Sequence, residues 1–311
     1  MKLSIVTTMY WSETYLEEFY QRCKTEVQKI TNDYEIIFVN DGSPDHSLQK
    51  AIKLSERDDQ VVVVDLSRNF GHHKAMMTGL SYTSGDLIFL IDSDLEEEPE
   101  LLQIFYSRLT EENCDVVFGV QESRKGNIFE KWTGEIFYRI INYLSEIEMP
   151  RNIITARLMS RRYVDSLLKF KEQEIFLAGI WYITGFNQIA VEVVKHSTSK
   201  TTYKLKNKVA MVINAVTSFS NKPLLLIFNL GMTITIISFF YILYLIVRKV
   251  FYAQSLEGWT SLIVSVWFIG GLIISFIGIV GIYLSKIFIE TKSRPYTIIR
   301  EIYGGNCDEY R

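Results

Sequence analysis

Two stretches of this chain, Leu224–Val247 and Trp259–Ser285, contain no charged residue. Each is longer than the ~20 apolar residues that carry a helix across a bilayer. A buried helix of a soluble protein this long would keep a polar face. Arg248-Lys249 and Glu257 bracket a short connection between the runs, so the pair predicts a membrane hairpin. Lys200, Lys204, Lys206, Lys208 and Lys222 precede the first run, and Lys286, Lys292, Arg294 and Arg300 follow the second. The bias of cations toward the cytoplasmic side places both flanks there. Arg248 and Lys249 run against that bias, but their long side chains reach the interface. The opening Lys2–Met9 run is too short and lacks the cleavage site of a signal peptide, so it reads as a strand.

The remainder is long enough for about one further domain in a chain of 311 residues. The net charge of -3 and the absence of a basic module argue against nucleic acid as a partner. Cys23, Cys114 and Cys307 are scattered, which fits a reducing compartment and no structural zinc. Up to about residue 120, apolar runs at Leu3–Thr8, Glu35–Asn40, Val61–Leu66, Leu87–Asp92 and Val116–Val120 predict strands. Amphipathic stretches at Glu13–Lys29, Ser47–Arg57, His72–Tyr82 and Glu100–Leu109 predict helices between them. This alternation implies an α/β fold with a mostly parallel, doubly wound sheet. Such sheets bind ligands beyond the carboxyl ends of their strands.

Four polar clusters fall at those ends: Thr7-Thr8, Asn40-Asp41-Gly42-Ser43, Ser67-Arg68-Asn69 and Asp92-Ser93-Asp94. On an extended backbone Asp92 and Asp94 share a side and can address one Mg²⁺ or Mn²⁺ together with substrate phosphates. A strand-end turn leading to a helix start at Pro99 is the plainer reading of the same residues. Asp41 is placed to accept hydrogen bonds from a base or ribose, although Asp-Gly is also a turn former. Arg68, Gly71 and Lys74 open the next helix, whose N-terminus suits a diphosphate, although a solvated loop accounts for the same residues. His72 and His73 are adjacent, so their side chains diverge and do not make a metal pair. No G-x-G-x-x-G or Walker loop is present. Thr8, Asp41, Arg68, Asn69, Lys74 and Asp92 are therefore the residues placed to meet a donor.

The string Val39-Asn40-Asp41-Gly42-Ser43, Ser67-Arg68-Asn69-Phe70-Gly71 and Asp92-Ser93-Asp94-Leu95 resembles the family 2, GT-A-fold glycosyltransferases. Within them it is similar to the polyprenyl-phosphate glycosyltransferases, the group of bactoprenol glucosyltransferase and dolichol-phosphate mannose synthase. The likeness continues through Arg157-Leu158-Met159, Thr217-Ser218-Phe219-Ser220, Pro223-Leu224, both apolar runs and Glu290–Pro295. It implies a nucleoside-diphosphate sugar donor, an undecaprenyl (polyprenyl) phosphate acceptor, inversion at the anomeric carbon and metal held by Asp92 and Asp94. It also implies a multi-pass protein of the bacterial inner membrane with a cytoplasmic catalytic domain.

Three departures stand out. The family's D-L-Q-D-P-P-E reads Asp94-Leu95-Glu96-Glu97-Glu98-Pro99-Glu100, an Arg often found at the end of the fifth strand is Gln121, and G-D-F-R-L-M reads Ile154–Met159. The last puts Thr155 where the family carries its acid/base Asp. A hydroxyl acceptor needs a base to remove its proton. A phosphate monoester, with its second pKa near 6, is already a nucleophile at neutral pH. Thr155 is thus tolerable for a phosphate acceptor, with Arg124, Arg157, Lys195 and Lys200 as candidate phosphate ligands.

These readings divide the chain into a nucleotide-sugar core over 1–122, an acceptor-binding and juxtamembrane region over 123–222, two transmembrane helices over 223–287 and a tail over 288–311. Ile128–Leu144 repeats apolar residues at helical spacing and suits an interfacial or an ordinary packing helix. Gly270-Gly271, Gly278 and Gly281 would let the hairpin approach a second protomer closely, as a homo-oligomer. A catalytically silent sugar-nucleotide-binding scaffold and a processive polysaccharide synthase are the competing readings. Intact Asp92 and Asp94 weigh against the first, and the absence of a Q-x-x-R-W motif against the second.

Overall fold

The computed structural model describes residues 1–121, 152–173, 175–194, 222–252 and 258–305. The five apolar runs form β1 (Leu3–Met9), β2 (Tyr34–Asn40), β3 (Val61–Leu66), β4 (Leu87–Leu90) and β5 (Val116–Gln121). Between them lie α1 (Leu16–Gln28), α2 (Ser47–Ser55), α3 (His72–Ser81) and α4 (Leu101–Glu111). β1, β2 and β3 are buried at every position, as continuous apolar strands covered on both faces must be. Leu3, Ile5, Phe19, Phe38, Phe89 and Phe105 belong to the core that unites the sheet with its helices.

Further along come β6 (Ile153–Ser160), α5 (Arg161–Leu167), α6 (Leu177–Ile183), β7 (Gln188–Val193), α7 (Lys222–Tyr252), α8 (Trp259–Thr291) and β8 (Ile299–Tyr303). The sheet has eight strands in the order β7-β5-β6-β4-β1-β2-β3-β8. β1 runs parallel to β2 and β4, and β2 to β3. β6 is inserted antiparallel between β4 and β5, with Arg157 opposite both Leu90 and Phe118.

This topology moves the expected core boundary. β6 and β7 come from the region read as acceptor-binding, and β8, antiparallel to β3, comes from the region read as a tail. The sheet needs them because β3 and β5 would otherwise expose their backbone donors and acceptors at open edges.

The chain forms two compact units, one holding the sheet with the residues from Arg294 onward, the other holding α7 and α8. α7 and α8 are 31 and 33 residues long. Their candidate membrane spans are Lys222–Tyr241 and Ser265–Thr291, with mean hydropathy 2.0 and 2.3. Large apolar side chains such as Phe239, Trp267 and Ile274 are exposed on them, the pattern of helices whose solvent is lipid. Arg124, Lys195, Lys200, the 128–144 segment and Thr217–Ser220 lie outside the described residues.

Candidate active site

Because β1 to β4 are parallel, their carboxyl ends open at one edge of the sheet, and the loops there are bound to one another. Asp41 follows β2. Its Oδ1 accepts the Phe70 N–H at 2.7 Å and its Oδ2 the Gly71 N–H at 3.0 Å. Burial raises its pKa more than those two bonds lower it. The carboxylate expected to meet a nucleoside is 3% exposed, and the contacts the structure gives it clamp the loop after β3. Gly42, at φ +62°, lies so close to that loop that a Cβ would sit 2.5 Å from the Asn69 nitrogen. The left-handed backbone and the close approach both require glycine there.

The clamped loop presents Arg68 and Asn69 to solvent. The Arg68 guanidinium lies 4.2 Å from the Phe70 ring centre and donates to the Asn69 carbonyl at 3.1 Å. Gly71 then caps α3 at φ +100°, and Lys74 sits in the first helical turn. Free amides and cations at a helix start favour a phosphate.

β4 is shorter than its apolar run suggests. It ends at Leu90, although the Ile91 N–H still donates to the Val6 carbonyl at 3.1 Å. Asp92–Leu95 forms a turn with Leu95 at φ +57°. Strand-like alternation nevertheless persists: Ile91 and Ser93 are buried, while Asp92 and Asp94 are partly exposed. Ser93 is pinned inward, its hydroxyl donating to the Thr8 carbonyl and meeting the Ser12 hydroxyl, each at 2.9 Å. The two carboxylates are thereby set on the other side.

His72, the first residue of α3, bridges two strand ends. Its Nε2 is 3.2 Å from Asp92 Oδ1 and its Nδ1 is 3.0 Å from the Thr8 hydroxyl. Burial acts most strongly on this imidazole and would lower its pKa, but Asp92, with Asp41 and Asp94 behind it, outweighs that and raises it. His73 turns away to the Ile175 carbonyl at 3.2 Å, so the neighbouring histidines do diverge. Thr8, read as a donor contact, is buried and bonded to His72.

Among the described residues no three His, Cys, Asp or Glu side chains gather around one point. A site with two partly exposed carboxylates fits Mg²⁺ or Mn²⁺ nonetheless, since those ions take one or two carboxylates and complete their shell with water and substrate phosphate.

The other wall is β6. Glu97 is 1% exposed, and its two oxygens accept the N–H groups of Thr155 at 3.1 Å and Ala156 at 2.7 Å. Its carboxylate thus fixes the start of β6, where Thr155 lies half-buried. Arg157 does not reach into the crevice as expected. It is 1% exposed, its guanidinium 3.0 Å from the Trp181 ring centre. It donates to the Thr155 carbonyl at 3.3 Å and makes a long contact to that of Ile154 at 3.5 Å. Burial pushes its pKa down to about 9 against weaker opposing pulls from Tyr163 and Glu97. The contacts the structure gives its guanidinium are to that indole and to the carbonyls at the strand start. With Phe118 and Phe186 it lines a cavity of about 490 Å³.

Residues 4–168 match the family described as Glycosyl transferase family 2, a span that carries every loop just described. The chain belongs to that family. It is 53% identical over 306 residues to a protein of Mycobacterium tuberculosis (strain CDC 1551 / Oshkosh) described as "Putative glycosyltransferases", covering 98% of this chain and 90% of that one. It is 31% identical over 313 residues to the SfII prophage-derived bactoprenol glucosyl transferase of Shigella flexneri, covering 98% and 100%. Among solved structures, glucosyl-3-phosphoglycerate synthase from Mycobacterium tuberculosis in complex with phosphoglyceric acid aligns over 70% of this chain and 79% of its own, at 18% identity and a TM-score of 0.50. That likeness shows a shared GT-A-like fold. The protein is a glycosyltransferase.

Proposed function

We propose that this glycosyltransferase moves a single sugar, with inversion, from a nucleoside diphosphate to a polyprenyl phosphate such as undecaprenyl phosphate at the cytoplasmic face of the inner membrane. One observation supports this above the others. A strand-end crevice with two carboxylates and two candidate membrane spans occur on one chain, along the full length over which it is similar to the Shigella bactoprenol glucosyl transferase. A donor site and an apolar anchor are the two things that sugar transfer onto a membrane lipid requires.

Asp92 and Asp94 would hold Mg²⁺ or Mn²⁺, which when bound offsets the negative charge that develops on the leaving diphosphate. The first-turn amides of α3 and the exposed Arg68 face the same charge. Asp41 keeps that loop in place through the Phe70 and Gly71 amides. An acceptor phosphate oxygen attacks the anomeric carbon as the bond to the diphosphate oxygen breaks on the opposite side. No proton has to leave the nucleophile near neutral pH, so Thr155 can stand where the family carries an Asp. Arg124, Lys195 and Lys200 are the cations assigned to the acceptor phosphate, while Arg157 supports the strand that carries Thr155.

The test uses the full chain in lipid nanodiscs with undecaprenyl phosphate and a panel of radiolabelled nucleotide sugars. Wild type should move label into the lipid extract, and chelation or Asp94→Ala should lower the rate by roughly a thousandfold, about 4 kcal/mol of barrier. Undiminished transfer by Asp94→Ala with metal chelated would remove the metal assignment. Label appearing only on a soluble hydroxyl acceptor would remove the lipid phosphate.

A further inference from the structure

β8 lies beyond the family match, which ends at residue 168, and it follows the second candidate span in sequence. It nevertheless binds the two loops that form the donor crevice. Arg300, the second residue of this strand, has Nη1 3.1 Å from Asp65 Oδ2 and donates from Nη2 to the Ser67 carbonyl at 2.6 Å. Asp65 is 1% exposed near the end of β3. Its other oxygen accepts the Asn40 side-chain N–H at 2.7 Å, and Asn40 Oδ1 accepts the Ser43 N–H at 3.2 Å. The Ser67 N–H donates to the Ile298 carbonyl at 2.9 Å, and the Thr78 and Thr297 hydroxyls meet at 2.8 Å.

A buried carboxylate needs a charged or hydrogen-bonding partner. Arg300 and Asn40 are those partners for Asp65. The Asp65 acceptor fixes which way the Asn40 amide faces, and that orientation sets the turn over 40–43. The same guanidinium grips the residue directly before Arg68-Asn69. One side chain is therefore bound, directly or through Asp65, to both loops.

We infer that Arg300 is a positioning residue for the donor site, and that the strand after the membrane hairpin is a working part of nucleotide binding. The inference rests on the reading of the 40–43 and 67–71 loops as the nucleoside-diphosphate site. It predicts a particular kinetic split. Loosening the loops weakens capture of the donor but leaves the chemical step, carried by Asp92 and Asp94, nearly unchanged once donor saturates.

The experiment measures UDP and GDP binding to the full chain in nanodiscs by titration calorimetry, with transfer kinetics alongside. Arg300→Ala should weaken binding of the nucleotide that wild type prefers, and raise KM for its sugar, by roughly tenfold, the loss of about one charge-assisted bond. kcat should stay within about twofold. Arg300→Lys, which keeps one cationic donor, should fall between the two and carries the test if the alanine variant does not fold. Asp65→Asn combined with Arg300→Ala should cost less than the sum of the two. Unchanged nucleotide affinity in both Arg300 variants would overturn the inference. An equal loss in Glu301→Ala, whose side chain on the same strand meets Tyr303 rather than the loops, would also overturn it, since β8 would then act only as a sheet edge. A wild-type chain that binds neither nucleotide would instead remove the donor reading itself, and this inference with it.

Discussion

Glu97→Ala tests the geometry around Thr155 most directly. The carboxylate is 1% exposed and receives two backbone N–H groups, those of Thr155 and Ala156. Ala156 is fully buried, so without Glu97 its N–H loses its acceptor in a site shielded from bulk solvent. Thr155 is half-buried, and water can replace part of its bond. Leaving a buried donor unmade costs about 1–3 kcal/mol, and a bond to a charged acceptor is worth somewhat more. The two together amount to about 2–4 kcal/mol of local stability at the start of β6. Hydrogen exchange of peptides covering 153–160 reads this quantity, and protection should fall about thirtyfold to several hundredfold. Glu97→Gln keeps one acceptor oxygen but turns an NH₂ toward the second amide, so it should lose roughly half as much. kcat should fall with both variants, because Thr155 and the carbonyls held by Arg157 move with the strand. Unchanged exchange in Glu97→Ala, or a larger loss in Glu97→Gln than in Glu97→Ala, would refute this account.

Thr155→Ala should slow transfer to a phosphate acceptor by about tenfold or less, near 1.4 kcal/mol. A thousandfold loss in kcat would mean the acceptor chemistry is misread and would bring back a hydroxyl acceptor. For topology, Gln254→Cys should react with a membrane-impermeant maleimide added outside intact cells, while native Cys307 should react only after permeabilisation. The opposite labelling would invert the orientation drawn from the cation bias.

The strands were legible in the sequence because buried parallel strands are apolar on both faces. β3 matches its expected span at Val61–Leu66, and β1, β2 and β5 match theirs within one residue at either end. β4 stops at Leu90, where its pairing with β6 ends, so Ile91 and Asp92, the last two residues of the expected span, fall beyond it. The insertion of β6 between β4 and β5, and of β8 beside β3, could not be read locally, since both depend on partners far away in sequence. Asp92 and Asp94 stand out as acids at the end of an apolar run. Glu97 does not, because its role is to receive amides from a strand that begins at Ile153. His72 was set aside as half of an unpromising pair, and its contacts with Thr8 and Asp92 became evident only once three element ends met. Arg157 misled for the opposite reason. Its place in a motif said nothing about the indole that covers it.

Asp65 and Arg300 stand 235 positions apart in the chain, which has a consequence for biogenesis. While the ribosome works toward the C-terminus, β3 is an open edge with its hydrogen-bonding groups unmet, a template for pairing with other nascent chains. Both apolar helices are synthesised before β8 emerges, so the catalytic unit is completed only after the hairpin has left the exit tunnel. A message truncated after the two apolar helices would yield a chain with both candidate membrane spans but an unsealed sheet, a natural substrate for quality-control proteases.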